Sequence, residues 1–583
     1  MKKILLNLLV SHSFLGGSFF AKASPNDKVD NFLSLCQNME SQNDDIKWLI
    51  QVLSENLGGE DCSQNYEILK EKDRLYLNSS GLTTVKALVG LPKLKKLYLN
   101  YNHLKHFDGK DLPALEELWL SHNNLEDFSG SALKNLKILK LDHNKLQNIS
   151  LNENQKLLEL DISKNFIKEI NGLSLPWLKK LNLNENEIES LFFDSFPSLE
   201  ALEASHNYMK GFSCEHCSGL KILDLSENKL SGFSQPIAGL NRLNLDSNLI
   251  GEFQCYDDSY ELKFLSIQAN QLTDLNLDTC LQLQEINVNN NSLSSLVIQD
   301  MPHLAIAQAE KNQIQFLSLS NLDSLKTLNL SHNRISKIDF SLEQLNKLFL
   351  NHNQIRVISK VDLKQVKHLE LTNNRLSVFD PVGADKLEYL NLRENKIKEF
   401  TPSAKLPKLL ELVLHYNDLE GFSGKQTPQL YRLRLGHNKI SLFSASFLEN
   451  VEDLTLQGNR ITDFYSEGLP SLRTLNLDGN LLTKFSGHTL NKLRWLNLDN
   501  NLMSEFKNNH IPSLDGLWLS INKLSLLDVR PFPQLYILKA DLNPHMSKIT
   551  ISSEQWDKIL ASDLFIVKDS GSRIAVDPNY SAL

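Results

Sequence analysis

At 583 residues the chain is longer than a single ordinary hydrophobic core supports, so it must either divide into domains or repeat a small unit along one axis. Its 41% hydrophobic and 22% charged content, with a mean hydropathy of −0.28, excludes a disordered or membrane-embedded chain. A formal net charge of −9 leaves no broad basic surface, which argues against nucleic acid as a partner.

The chain opens with Lys2 and Lys3, an apolar run from Ile4 to Phe20 and the small-residue sequence Ala21-Lys22-Ala23. This is the pattern of a signal peptide over residues 1–23, removed after Ala23, and it implies an exported protein that is periplasmic, secreted or associated with the cell surface. The run is short for a membrane span and is interrupted by Asn7 and by Ser11, His12 and Ser13. Residues 24–72 then predict a helical N-terminal cap. Val29, Phe32, Leu33 and Cys36 form one helical stripe, and Ile46, Leu49, Ile50, Leu53 and Leu57 form a second that ends at Gly58-Gly59.

From residue 73 to 543 one pattern recurs. An asparagine returns every 20 to 22 residues from Asn102 to Asn543, inside a frame such as Leu115-x-x-Leu118-x-Leu120-x-x-Asn123-x-Leu125-x-x-Phe128. The two leucines of L-x-L point to the same side of a strand and enter a core, while the residue between them faces out. One coil cannot bury its leucines alone, but stacked coils can, and each buried leucine contributes roughly 1.5–3 kcal/mol. The asparagine sits where the chain leaves the strand, and its amide can satisfy backbone groups that would otherwise be buried unpaired. Phe107, Phe128, Phe212, Phe400 and Phe485 are expected to pack beneath the outer wall, and prolines such as Pro113 and Pro470 precede the next coil. So little chain remains for that wall that short 3₁₀ or extended segments are expected there.

The frame resembles the leucine-rich-repeat family from Leu75 to about Asn543. The resemblance implies an α/β solenoid: a horseshoe or arc with a long parallel β-sheet on its concave side, short convex segments, a helical N-terminal cap and a small C-terminal cap. The closing cap is expected over residues 544–583, where Ser552-Ser553-Glu554-Gln555 has capping-box spacing for a helix through Trp556 and Ile559, and Leu564 to Val567 reads as a strand. A helical cap leading into short repeats in an exported chain is similar to the internalin-type proteins of bacteria. The sequence departs from them in repeat length and in having no immunoglobulin-like module or wall-anchoring signal, so adhesion and invasion are not carried over.

Six cysteines in an exported chain permit disulfides. Cys36 and Cys62 flank the cap helices and are expected to pair. For Cys214, Cys217, Cys255 and Cys280 three readings stand: a Cys214–Cys217 link with Cys255–Cys280 joining adjacent coils, a metal site from Cys214, His216 and Cys217, or a redox-active pair. Histidines recur just ahead of the repeat asparagine, and adjacent coils bring His122 near His143 and His332 near His352, where a solvated turn is a simpler reading than a metal site. No metal or other cofactor is assigned. G-x-S-x-G, H-E-x-x-H and Walker motifs do not occur, so no enzyme activity is expected.

The residues between the paired leucines should face solvent on the concave sheet, so aromatic ones there need a reason. Tyr98 and Trp119 are neighbours in that column, Phe349 stands in it further on, and Trp495 lies diagonal to Trp518. A middle cluster contains Tyr389, Val413, Tyr416, Tyr431, Arg432 and Arg434. Trp, Tyr and Arg concentrate binding energy at interfaces, so Tyr98, Trp119, Phe349, Tyr389, Tyr416, Tyr431, Arg432, Arg434, Trp495 and Trp518 are the expected contact residues for a protein partner. Aromatics among many Asn, Asp and Gln also suit a glycan or cell-envelope polysaccharide.

Overall fold

The structure, a computed structural model, describes residues 31–577 apart from 171–172, 192–194, 215–216, 235–236, 256–260, 359–361 and 508–510. The signal-peptide segment, Val29 and His216 lie outside the described residues. The chain forms two compact units, one ending at Leu157 and the other beginning at Leu158. Each is a parallel β-solenoid.

The N-terminal unit begins with three helices, α1 (Phe32–Gln37), α2 (Asp44–Leu57) and α3 (Cys62–Glu71). Each starts at a side chain that takes up an otherwise unpaired amide: Asn31 accepts from Ser34, Asn43 from Ile46 and Asp61 from Gln64. α2 ends at Gly58 in the left-handed region, where glycine carries no Cβ penalty. The spacing predicted two helices. α3 escapes it because Leu69 is its only buried hydrophobic residue, so it has no apolar stripe to read. In α1 the buried pair is Phe32 and Leu35, with Leu33 and Cys36 half-buried. Cys36 and Cys62 are disulfide-bonded with their Cα atoms 5.8 Å apart, tying α1 to the start of α3. Trp48 donates its indole N–H to the carbonyl of Ser80, seating α2 on the first coil.

In this unit the strands Arg74–Tyr76, Lys96–Tyr98, Glu117–Trp119 and Ile138–Lys140 pair in parallel, leucine beside leucine. The C-terminal unit repeats the arrangement from Glu159–Asp161 to Phe565–Val567. Strands are mostly three residues long, with the middle residue buried and its flanks partly exposed. The outer wall is extended or turn-like, as the short connections require, with small parallel pairs such as Ser295–Gln299 beside Phe316–Ser320 and a 3₁₀ turn at Gly424–Gln426. Beneath it phenylalanines stack from coil to coil, Phe443, Phe464, Phe485 and Phe506 at 5.9–6.2 Å between ring centres.

The asparagine ladder does more than satisfy its own turn. Asn333 donates through Nδ2 to Leu330 and Ser331 in its own coil (3.0 and 3.2 Å) and to Ala309 of the preceding coil (2.9 Å), while its Oδ1 accepts the Ile314 N–H at 3.0 Å. Asn123, Asn228 and Asn480 repeat the same pattern. These side chains are buried, Asn270 of the same ladder being half-buried, and they reach back towards the amino terminus.

Past Asn543 the main sheet continues for one more strand, Phe565–Val567, and Lys548–Ser552 pairs with Arg573–Asp577 on the outer side. Helix α4 (Ser553–Leu560) has the predicted capping box between Ser552 and Gln555. Asp569 accepts the amides of Leu542 and Asn543, standing where another coil would offer backbone carbonyls. Among the described residues no helix is long and apolar enough to cross a membrane.

Replacing Asn333 by Ala strands donors and acceptors of two coils in a dry interior, and each buried unpaired group costs about 1–3 kcal/mol. Urea unfolding of Asn333→Ala is therefore expected to show a loss of about 2–4 kcal/mol, whereas Asp323→Ala, at an exposed position in the same coil, should move the midpoint little.

Candidate functional site

In the N-terminal unit the outward column carries three rings in sequence. Tyr76 stacks on Tyr98 at 4.7 Å with planes 9° apart, and Tyr98 meets Trp119 at 5.7 Å and 47°. The parallel register aligns Tyr76, Tyr98 and Trp119 directly. Tyr98 donates its hydroxyl to Glu117 Oε2 at 3.2 Å, and Glu117 also pairs with Lys96 at 2.6 Å. Partial burial, reinforced by the Glu117 charge, raises the Tyr98 phenol above its ordinary value, so it stays a neutral donor. Tyr76 was missed by the sequence reading although the first coil, Leu75-x-Leu77, places it in the same column; it is 53% exposed.

In the C-terminal unit Phe349 and Tyr389 are joined through His368, which was not singled out in the sequence. His368 lies 5.3 Å from the Phe349 ring and stacks on Tyr389 at 4.3 Å and 6°. Its Nε2 is 3.2 Å from Glu370. Burial pushes the Tyr389 phenol up to about 12, and Glu370 and Glu411 add to the effect. The register continues the row as Tyr389, Glu411, Arg432 and Asp453 on successive strands. Arg432 bridges Glu411 (2.9 Å) and Asp453 (3.3 Å), and Arg434 reaches the same Asp453 oxygen at 2.8 Å. Both arginines are thus already paired, presenting a fixed ionic lattice. Tyr431 lies beside them, its ring 5.9 Å from the Arg432 guanidinium.

Two expectations for this region are corrected. Val413 does not face solvent: it is 7% exposed, as is Thr455 of the same column. The arginine–Asp453 lattice and His415, whose Nε2 is 3.4 Å from Thr455 Oγ1, roof the strands here. Tyr416 belongs to the turn after the strand, with φ at +55°, and stacks on His437 at 4.3 Å instead of joining the cluster.

A third group forms around Trp495. Trp518 lies 5.7 Å away and Tyr536, a further residue the sequence reading passed over, meets it edge-on at 5.6 Å. Gly516 makes this possible. A Cβ there would stand 2.6 Å from the Trp495 ring and 2.7 Å from Trp518, so only glycine lets the two indoles close over the strand. Elsewhere on the same face, a hollow of about 260 Å³ is lined by Arg242, Asn244, Asp246, Phe264 and Glu285. Asp246 there accepts from Ser266 and from the backbone and side chain of Gln268.

Cys214 is bonded to Cys217 and Cys255 to Cys280, the first of the three readings of these cysteines. The thiolates a metal centre at Cys214 and Cys217 requires are consumed in that bond, which is also the form an oxidised redox pair takes, and His216 lies outside the described residues. Both His pairs stack, His122 on His143 at 3.8 Å and His332 on His352 at 4.1 Å.

Burial lowers His415 to about 4, with the Arg434, Arg393 and His437 charges adding to the depression. A histidine held below its unfolded value contributes stability that is full above about pH 6.5 and is lost as pH falls towards 4. The unfolding midpoint is therefore expected to drop across that interval, and His415→Gln should flatten the drop in urea titrations repeated at stepped pH.

Leucine-rich-repeat models match residues 73–125 and 324–345, and a two-copy leucine-rich-repeat model matches residues 113–153. No curated protein matches the sequence. Among solved structures, YopM from Yersinia enterocolitica WA-314 is 20% identical with a TM-score of 0.50, covering 94% of this chain and 98% of its own. The plant peptide hormone receptor RGFR1, solved in complex with RGF2, is 20% identical with a TM-score of 0.57 over 86% of this chain and 95% of that one. An internalin of Listeria monocytogenes str. 4b F2365 is 20% identical with a TM-score of 0.41, covering 59% and 94%. The repeating frame and the parallel ladder have the leucine-rich-repeat fold shared with YopM and the plant receptor, and leucine-rich-repeat models match residues 73–153 and 324–345 of the chain.

Proposed function

We propose that the chain is an exported bacterial recognition scaffold that holds a protein partner against the solvent face of its strands and performs no catalysis. The observation that carries this reading is the grouping of outward aromatics into ordered sets, Tyr76–Tyr98–Trp119, Phe349–His368–Tyr389 and Trp495–Trp518–Tyr536. Rings fixed by their neighbours lose little further entropy when covered, and such side chains dominate interface energetics. The Arg432/Arg434–Asp453 lattice would supply orientation more than affinity, because its charges are already matched. Three disulfides suit an oxidising compartment, which supports export to the periplasm, the medium or the cell surface. The plant receptor of the same fold, captured with RGF2, supports recognition as the use of such a face.

A glycan or envelope polysaccharide is the second reading, favoured by the polar hollow at Arg242, Asp246 and Phe264, where the guanidinium lies 4.7 Å from the ring. Partner capture from envelope and extracellular fractions is expected to identify a protein whose binding falls at least tenfold in Tyr98→Ala/Trp119→Ala or in Trp495→Ala/Trp518→Ala. Undiminished binding by both double variants removes these residues as the site. Glycan-array binding lost on Phe264→Ala selects the second reading instead.

A further inference from the structure

The residue ahead of each ladder asparagine sits in the left-handed region, with φ of +57° at Tyr101, +56° at His122 and +55° at His143. Histidine tolerates this conformation better than bulky or β-branched residues do. The shared backbone geometry sets three rings of successive coils in one pile: Tyr101 on His122 at 4.2 Å and 11°, His122 on His143 at 3.8 Å and 22°. Beside them Asp142 places Oδ2 3.0 Å from His143 Nδ1, and its Oδ1 is held by the Ser121 hydroxyl.

One donor atom from each of His122, Asp142 and His143 lies within 4.8 Å of the other two. We propose that these three side chains bind a divalent transition-metal ion of the zinc class on the turn edge of the N-terminal unit. Around a tetrahedral zinc with bonds of about 2.0–2.1 Å, ligand atoms stand about 3.3 Å apart. The His143–Asp142 pair already has nearly that separation, with a proton occupying the place of the ion. Closing the set needs rotation of the His122 and His143 rings about their side-chain bonds and no shift of the backbone, which the asparagine ladder fixes. Two imidazoles and a carboxylate suit zinc or copper(II) over calcium or magnesium, which take oxygen donors. Ser121 plays the orienting part that outer hydrogen bonds play at metal sites. Three protein donors leave a fourth position for water or a group from another molecule. The other stacked pair, His332 and His352, provides an internal comparison, since among the described residues only the first pair is joined by a carboxylate in such a group.

The test is titration of the untagged full chain with zinc and with copper(II), followed calorimetrically and, for copper, by electron paramagnetic resonance. One high-affinity ion per chain is expected, with nitrogen hyperfine structure from two imidazoles. His122→Gln, His143→Gln and Asp142→Asn each remove a direct ligand and should weaken binding by more than the roughly tenfold that loss of an outer partner costs, and the two histidine variants should lose one nitrogen from the copper spectrum. His332→Gln should bind as the parent does. Urea midpoints equal to the parent's would show that the variants are folded. The proposal is overturned by an absence of micromolar binding for both ions, by retention of full affinity in the three variants, or by loss of the site in His332→Gln. None of these results bears on partner recognition through the strand face.

Discussion

The fold depends on one buried amide. An L-x-L strand three residues long makes too few backbone bonds to define a coil, and its leucines, being non-directional, would tolerate sliding by a residue or more. The asparagine removes that freedom. Its Nδ2 and Oδ1 each have a specific partner in the coil before, as in the Ala309 carbonyl and Ile314 amide bound by Asn333, and the pattern returns from Asn102 to Asn543. A slip in register would break several buried hydrogen bonds at once, at a cost far above that of displacing one leucine. Burial supplies the drive for stacking and the asparagine supplies the alignment.

That alignment is also what turns single residues into rows. Because every coil repeats the same backbone geometry, residues at equal positions in neighbouring coils face each other at strand spacing. Rings placed so must stack, and the same rule operates in three places: the phenylalanines under the wall, the outward tyrosines and tryptophans of the strands, and the rings on the left-handed turns. Chemistry on this scaffold is additive along the axis. A pair of coils can hold an aromatic step or a pair of imidazoles that neither coil could form alone.

The repeat made most of the fold legible. A period near 21 with leucines and asparagine in fixed places allowed the parallel sheet, its buried rows and the thin outer wall to be read directly, and the spacing of Ser552 and Gln555 located the last helix. α3 was not legible, since a helix that buries only Leu69 and Asn65 leaves no periodic signature. The site was legible as a column but not as a surface. Counting along L-x-L finds Tyr98 and Trp119, yet cannot show that His368 wedges between Phe349 and Tyr389, that Arg432 and Arg434 have acidic partners, or that Val413 is roofed over. Those facts depend on side-chain paths across several coils. Tyr416 illustrates the reverse error: its place next to Asn417 marks it as a turn residue, and proximity in sequence to the arginine strand was misleading.

The side-chain hydrogen bonds that the ladder makes between coils point one way, each asparagine amide group gripping the coil behind it. Within either unit a whole module can therefore be duplicated or excised during evolution with every grip remade, because the new neighbour offers the same carbonyl and amide as the old. Only the two ends need bespoke fittings, and Asp569 is one of them, a carboxylate doing the work of a missing backbone. Growth and shortening by complete modules would then lengthen or trim the strand face without redesigning its interior.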